Sequence, residues 1–321
     1  MGEGVDEGEG EGEGARENKA GRVNRPRDIV ALARGDGWIV VAKPPKVITH
    51  RNWAHRHERA AVQRARDLVR GRVYPIHRLD RAASGCLLLA THRARAGELQ
   101  AALVEGEKQY LAFVRGDLPI DGPTRVENPM KDSRGVLREA ASVVEKLGGS
   151  ADPRCSLLLV RPETGRFHQV RRHVRDLHHP IIGDTDHGDS RINRWWREER
   201  GFGRLGLHAH RLSLRLPGGE EIEATCPLFT DHHAVFTTLP WWDAAVARLP
   251  ALALPPLRTN GRGWAPGPGA ADAAARGLGL PADEALGPSD PSQLDANLGD
   301  EDVLDADLAA VVDLDALEEL A

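Results

Sequence analysis

Five short apolar runs, each bounded by glycine, proline or charged residues, limit what this chain can fold into. They are GWIVVAKP (37–44), GCLLLA (85–90), KQYLAFVRG (108–116), CSLLLVRP (155–162) and LHAHRLSLRLP (207–217). Runs of this length and composition predict buried strands. Helical spacing occurs in 58–71, 93–106 and 164–177. Because strands and helices do not alternate regularly, we predict an α+β fold with a mixed sheet and not a doubly wound one.

Charge is divided unevenly along the chain. Residues 1–21 hold seven acidic and two basic side chains, residues 251–321 hold fourteen and three, and residues 22–250 hold 27 and 38. We interpret 1–21 as a disordered acidic Glu/Gly arm and 251–321 as a Pro/Ala/Gly linker with an acidic tail. Its end, 302–320, fits either an acidic amphipathic helix or more disordered chain. The basic unit 22–250 suits an anionic partner, and nucleic acid is the first candidate.

The three cysteines and the absence of long apolar runs bear on the cellular compartment. Cys86, Cys155 and Cys226 form no CxxC pair and no disulfide-like pattern, which favours a reducing setting. No run approaches the roughly 18 apolar residues of a membrane span, and the first residues have no signal-peptide character. We therefore predict a cytoplasmic protein.

One carboxylate stands among basic residues in PIHRLDRAASG, residues 75–85. Asp80 is surrounded by His77, Arg78 and Arg81 and precedes a small-residue turn. Nearby cations lower the pKa of a carboxyl group, typically by about 1–3, so Asp80 should be ionised at neutral pH and able to act as a nucleophile or base. A salt-bridged loop aspartate would fit the same string.

A second basic segment follows at 162–184. On a helix, four of its side chains lie three or four apart: His168, Arg171, Arg172 and Arg175. Such a face can meet phosphates or grip one carboxylate with a planar guanidinium, although solvated surface arginines would look the same.

Tyr110, one of two tyrosines in the chain, lies on the strand predicted at 108–116. It fits a base-stacking ring or a general acid or base, and it also fits a core residue.

Fourteen histidines raise the alternative of a metal hydrolase. They include a group near the amino terminus and an HxH pair, namely His50, His55 and His57, and His208 and His210. Because no HExxH motif or closed Cys/His set accompanies them, we predict no metal site.

Taken together, the motifs resemble the RluA family of RNA pseudouridine synthases. The likeness runs in order through VVAKPPKVITH (40–50), HRLDRAASG (77–85), EKQY and VRG (107–116), TGRFHQVRRH (164–173), HPIIGD (179–184) and LHAHRLSLRLP (207–217). THRNW (49–53) and HHPIIGDTDHGDSRINR (178–194) are most similar to the branch that modifies uridine 65 of tRNA. Ala83 and Lys46 depart from the family pattern without touching a catalytic position.

The resemblance implies a mixed, largely antiparallel central sheet with flanking helices. It also implies an isomerase that breaks the N1–C1′ bond of a uridine, turns the base and rejoins it through C5, with no cofactor or metal. The target nucleotide must be flipped out of its stack to expose these atoms. The expected partner is tRNA. Large-subunit ribosomal RNA and a role as a non-catalytic RNA-binding protein are the alternatives, and we expect a monomer.

The same resemblance implies roles for individual residues. Asp80 would be the essential catalytic residue, as nucleophile or base, with Arg171 paired to it. Tyr110 would stack on the uracil and help to remove the C5 proton. The residues expected to bind substrate are Arg78, Arg81, Lys43, His168 and Arg172. Among them Arg81 resembles the residue that fills the space vacated in the RNA, and Lys43 belongs to a motif that mainly supports the fold.

Overall fold

The computed structural model describes residues 29–51 and 56–258. The acidic arm expected at 1–21 and the acidic tail with its candidate terminal helix lie outside these residues, as does His55. The helices in the described part lack the combination of length and apolar character that a bilayer crossing would require.

Ten strands form one sheet: β1 (Val30–Gly35), β2 (Trp38–Lys43), β3 (Tyr74–Pro75), β4 (Ser84–Ala90), β5 (Glu107–Arg115), β6 (Thr124–Glu127), β9 (Ala141–Ala151), β10 (Arg154–Pro162), β11 (Leu207–Arg215) and β12 (Glu221–Thr225). A separate hairpin joins β7 (Met130–Lys131) to β8 (Leu137–Arg138). The helices are α1 (Ala61–Val69), α2 (Arg93–Glu105), α3 (Gln169–Asp176), α4 (Ser190–Arg200), α5 (Thr230–Phe236) and α6 (Trp242–Arg248), followed by a 3₁₀ helix (Pro250–Ala253).

The sheet is antiparallel except at its centre. Its order is β1-β2-β4-β11-β5-β10-β9-β6, with β3 beside β4 and β12 beside β11. Among the strand pairs of the described residues, β4 and β11 are the only pair that runs parallel. In this pair, Ser84 lies opposite His208 and Gly85 lies opposite Ala209. The predicted α+β fold with a mixed, largely antiparallel sheet is therefore confirmed.

The central strands are buried on both faces, which explains their continuous apolar runs. On one face of β2 and β4, Val40 and Leu88 pack in a cluster that includes residues of α2. On the other face, Val41 and Leu87 pack in a cluster that includes residues of α1. The five predicted strands and the three predicted helices all exist, as β2, β4, β5, β10 and β11 and as α1, α2 and α3.

Aromatic rings fill the other half of the core. Phe113 on β5 lies 4.9 Å from Trp196 and 4.9 Å from Phe236, measured between ring centroids. Leu252 is buried in the same cluster, and Leu257 pairs with Phe229. The packed chain thus continues several residues past 250.

Gly85 lets the two parallel strands approach each other. Its φ is +121°, and an added Cβ would lie 2.1 Å from the carbonyl oxygen of Ala209. A side chain at this position therefore requires movement of the backbone next to the Asp80 loop.

We expect Gly85→Ala to lower the free energy of unfolding by more than about 2 kcal/mol, because backbone strain and a clash with β11 act together. Gly122→Ala is the matched control, since Gly122 has φ +86° with nothing within 4 Å of an added Cβ. It should cost about 1 kcal/mol. Urea denaturation measures the free energy of unfolding of both variants. Equal losses would contradict the close approach of β4 and β11 at Gly85.

Candidate active site

The loop that carries Asp80 is held by Thr49. The Thr49 hydroxyl donates to the carbonyl of Leu79 at 3.0 Å and accepts from the amide of Leu79 at 3.1 Å. The amide of Ala83 donates to the carbonyl of Asp80 at 3.1 Å. These contacts fix the backbone on both sides of Asp80, whose side chain is 24% exposed. The side chain of Asp80 is therefore partly accessible to solvent.

Helix α3 delivers Arg171 to this carboxylate. Val170 and Val174 pack in the cluster that contains residues of β5 and β10, which orients the helix on the sheet. Arg171 is buried, with 5% of its side chain exposed, and its Nη1 donates to Asp80 Oδ2 at 3.1 Å. The pairing expected between these two residues is present in the structure.

Two further carboxylates, those of Asp184 and Asp186, also pair with Arg171. Its Nε and Nη2 donate to the two oxygens of Asp184, each at 2.7 Å, and Nη2 also donates to Asp186 at 2.5 Å. Asp184 is buried and also accepts from the amides of Asp186 and His187. The bidentate pair fixes the plane of the guanidinium, so that Nη1 is directed at Asp80.

Sequence reasoning did not assign Asp184 and Asp186 to the site. The signal was present, because HPIIGD was among the family motifs, but a role for its aspartate was not inferred. Asn193 on α4 supports this loop: its Nδ2 donates to the carbonyl of Asp184 at 2.6 Å, and its Oδ1 accepts from the amide of Gly183 at 2.7 Å.

The electrostatics keep Asp80 ionised. Burial would raise the pKa of the Asp80 carboxyl, but the neighbouring His168, Arg171 and Arg78 outweigh burial and hold the pKa below its usual value. Asp184 behaves in the same way, since Arg171 outweighs burial and lowers its pKa. Asp80 is thus a carboxylate at neutral pH, in agreement with the sequence expectation.

His168 immediately precedes α3, has an unusual backbone conformation, and lies close to both Asp80 and Arg171. Its φ is +51°, which non-glycine residues rarely adopt. Its Nε2 lies 2.6 Å from Arg171 Nη1 and 3.6 Å from Asp80 Oδ2, and its Nδ1 lies 3.0 Å from His187 Nε2. Because arginine can only donate, Nε2 must accept, which assigns the proton to Nδ1. Burial lowers the pKa of His168 to about 4, so the ring is neutral at pH 7.

Tyr110 lies on β5 at the centre of the sheet, opposite Ala209 of β11 and Val160 of β10. It is half-buried and packs against the clusters on both sides of the parallel junction. Burial, followed by the charge of Asp80, raises the pKa of the phenol. Tyr110 is therefore protonated at neutral pH and lies within the electrostatic influence of Asp80.

Lys43 differs from its sequence expectation as a substrate-binding residue. It is wholly buried, and its Nζ donates to the carbonyls of Val47 at 2.6 Å, Pro44 at 3.2 Å and Arg81 at 3.4 Å. Burial lowers its pKa to about 7. An ammonium enclosed by backbone carbonyls has no surface for substrate, so Lys43 holds the loop after β2 against the Asp80 loop.

The other predicted binding residues lie around the site. Arg78 and Arg81 are exposed, and Arg81 Nη2 donates to Glu58 at 3.0 Å. Arg172 is half-buried on α3, with Nη1 3.5 Å from the carbonyl of Lys131 in the β7–β8 hairpin. The structure thus groups Asp80, Arg171, His168 and Tyr110 at the centre, with Arg78 and Arg81 on the exposed side of the Asp80 loop.

His208 and His210 take structural positions on β11. Both are buried, and each has a ring nitrogen near the carbonyl of Cys226, at 3.0 Å and 3.2 Å. His208 Nδ1 also lies 3.0 Å from the Ser84 hydroxyl. Across residues 29–51 and 56–258, no three histidine, cysteine or acidic side chains are grouped so that they could hold a metal ion.

The site thus combines a central carboxylate, held by a buried arginine, with exposed arginines on a mixed sheet. The sequence of the chain also matches a known family. The family model described as RNA pseudouridylate synthase matches residues 37–176. The chain belongs to this family, whose members are isomerases that act on RNA.

Curated relatives named tRNA pseudouridine synthase C match this chain, and two of them illustrate the likeness. The protein of Haemophilus ducreyi is 37% identical over 208 residues, which cover 58% of this chain and 85% of the relative. The protein of Pectobacterium carotovorum subsp. carotovorum is 38% identical over 210 residues, which cover 59% of this chain and 54% of the relative. The chain thus spans about half the length of the second relative.

Solved structures of RNA pseudouridine synthases are similar to this chain. Human RNA Pseudouridylate Synthase Domain Containing 1 aligns with a TM-score of 0.53 and 24% identity, covering 72% of this chain and 97% of that chain. The likeness supports the architecture described above.

We expect Asp184→Asn to destabilise the protein by roughly 3 kcal/mol and to reduce turnover, because a buried guanidinium loses its charged bidentate partner. Asp186→Asn is the matched control: Asp186 also contacts Arg171, but its side chain is 52% exposed, so the loss should stay below about 1 kcal/mol. Urea denaturation and a turnover assay test both. An Asp184→Asn variant as stable as wild type would show that the pair is dispensable.

The neutral state of His168 predicts a pH dependence of stability. Its pKa is lowered from 6.5 to about 4, so its contribution is present above pH 6.5 and is lost as pH falls toward 4. His168→Gln removes this titration. The difference in unfolding free energy between wild type and His168→Gln should therefore shrink between about pH 6.5 and pH 4. A difference that stays constant over this range would rule out a depressed His168 pKa.

Proposed function

We propose that this protein isomerises uridine 65 of tRNA to pseudouridine, with Asp80 as the essential catalytic residue. The observation that carries the proposal is the ionised, partly exposed Asp80 carboxylate held by the buried Arg171 at 3.1 Å. A salt bridge needed only for stability would not require an opening to solvent. The names of the relatives, together with the basic character of residues 22–250, support tRNA as the substrate.

The reaction breaks the N1–C1′ bond of the flipped uridine, and the base turns and forms a new bond from C5 to C1′. Asp80 acts either as a nucleophile at the ribose or as a base toward it, and both routes need the carboxylate in its ionised form. Arg171 favours that form and restricts the rotation of the carboxylate by holding Oδ2. Orientation of this kind lowers the entropic cost of reaching the transition state.

After the new bond has formed, the proton on C5 must leave. The reaction balances because N1, which has lost its bond to C1′, takes up one proton as C5 loses one. Since the phenol of Tyr110 is protonated, this residue accepts the C5 proton only while it passes its own proton to solvent, from which N1 is protonated. We propose that Tyr110 stacks on the uracil and serves in such a relay. Arg78, Arg81, His168 and Arg172 contact the RNA or its target nucleotide in this proposal.

We further propose that 22–250 is the catalytic domain, with the acidic arm and tail on either side, and that the protein acts as a monomer in the cytoplasm. The widely spaced cysteines, all free and buried, support a reducing compartment.

Pseudouridine mapping tests this function. Unmodified tRNA and ribosomal RNA are treated with wild type, Asp80→Asn or the control Asp117→Asn, which changes an exposed aspartate paired with Lys146 outside the site. Carbodiimide adducts are located by primer extension. We expect a stop at tRNA position 65 with wild type and the control, and a rate reduced by roughly a thousandfold or more with Asp80→Asn.

Other outcomes separate the alternatives. A signal in ribosomal RNA alone would keep the chemistry and contradict the tRNA substrate. RNA binding without modification of either RNA would contradict catalysis and favour a binding protein.

A further inference from the structure

A band of arginines lies beside the Asp80 loop. Residues 56–81 carry eight arginines and no lysine, against three acidic residues. We call five arginines in and near this stretch the arginine ridge: Arg51, Arg59, Arg64, Arg78 and Arg81. Arg51 and Arg81 both donate to Glu58, to its carbonyl and its carboxylate, and Arg64 donates to the carbonyl of Arg59.

The ridge is fixed to the catalytic loop through one short segment. Ile48 and Thr49 accept backbone hydrogen bonds from Ala61 and Val62, at 2.9 Å and 3.1 Å, in the first turn of α1. The side chain of Thr49 also holds both backbone groups of Leu79. Helix α1 and the Asp80 loop are therefore both attached to Thr49, and a group bound by α1 has a defined position relative to Asp80.

Charge from the ridge reaches the site itself. Arg64 and Arg81 contribute to lowering the pKa of Lys43, after burial as the main cause, and Arg78 contributes to lowering the pKa of Asp80. These effects require the guanidinium groups to lie near the catalytic loop, on its solvent side.

Two arginines of the ridge are held by ion pairs near the surface. Arg81 pairs with Glu58 at 3.0 Å, and Arg59 forms an ion pair with Asp67. Arg64 Nε donates to the carbonyl of Arg59 at 2.9 Å, which joins Arg64 to the same group. Exposed ion pairs contribute little to stability, so a phosphate can replace these carboxylates at low cost.

We propose that the arginine ridge binds the RNA phosphates that flank the target nucleotide. The proposal rests on the proposed function and adds a binding surface, above all Arg59 and Arg64, to the catalytic site. Arginine suits this task because its planar fork matches two phosphate oxygens. Binding at the ridge holds the backbone beside the nucleotide that must enter the site, and it raises affinity without touching the reacting atoms.

Two ion pairs of the same kind provide a matched test. Arg59 pairs with Asp67 on the ridge, and Arg215 pairs with Glu221 at the far end of β11. Both arginines are exposed, at 45% and 72% of the side chain. His208 on β11 lies opposite Ser84, the first residue of β4. Arg215 is seven residues farther along β11, so Arg215 is roughly 23 Å from the start of β4.

The experiment measures the affinity of the full chain for unmodified tRNA over a range of salt concentrations. Arg59→Gln should weaken binding about fivefold at about 0.15 M salt and reduce the slope of log K against log salt by about one. Asp67→Asn should tighten binding, because it frees Arg59. Arg215→Gln and Glu221→Gln should change neither quantity, and circular dichroism confirms that each variant is folded.

Turnover assays separate binding from chemistry. Arg59→Gln should raise KM and leave kcat unchanged, because the ridge does not reach the reacting atoms. Equal effects of Arg59→Gln and Arg215→Gln would overturn the proposal. RNA affinity that is unchanged or higher in Arg59→Gln would also overturn it. Because affinity is measured without turnover, a protein that binds through the ridge but forms no pseudouridine would contradict the proposed function alone.

Discussion

The site depends on one guanidinium. Arg171 contacts Asp80, Asp184 and Asp186 at once, and these carboxylates come from the loop before β4 and the loop before α4. A buried arginine is stable only when it is well paired, so α3 and both loops must be in place together. The packing of α3 on the sheet and the support of the 183–189 loop by Asn193 follow from this requirement.

The groups near Arg171 divide the charge in a way that suits a catalytic carboxylate. His168 is neutral at pH 7 because burial lowers its pKa to about 4, and the phenol of Tyr110 is neutral with a pKa raised further by burial. Asp80 remains ionised and partly accessible to solvent, with Arg171 as its permanent cation. Arg59, Arg78 and Arg81 of the ridge are exposed and add positive charge. In the proposed function, the buried charges orient the carboxylate of Asp80 and the charges of the ridge attract the RNA.

Much of the fold was accessible from the sequence because local pattern encodes it. Apolar runs between glycine and proline gave β2, β4, β5, β10 and β11, and the HRLD and HQVR motifs led to Asp80 and Arg171. The contact of Arg171 with Asp184 was not inferred, since no periodicity links a helix to a later loop. Helix α4 was missed because only Ile192 and Trp196 among its residues are buried. Lys43 was expected to bind substrate through its resemblance to a family motif, whereas its ammonium is enclosed by three backbone carbonyls.

The central claim is that the neighbouring His168 and Arg171 outweigh burial and hold the pKa of Asp80 below its usual value. The most direct measurement is a carbon-13 NMR titration of the Asp80 side-chain carboxyl in the wild-type protein, assigned by the signal that disappears in Asp80→Asn. The account predicts that the carboxyl is still mostly ionised at pH 3.8, the ordinary pKa of aspartate. A carboxyl that is half or more protonated at that pH would show that burial outweighs these neighbours and would contradict the account.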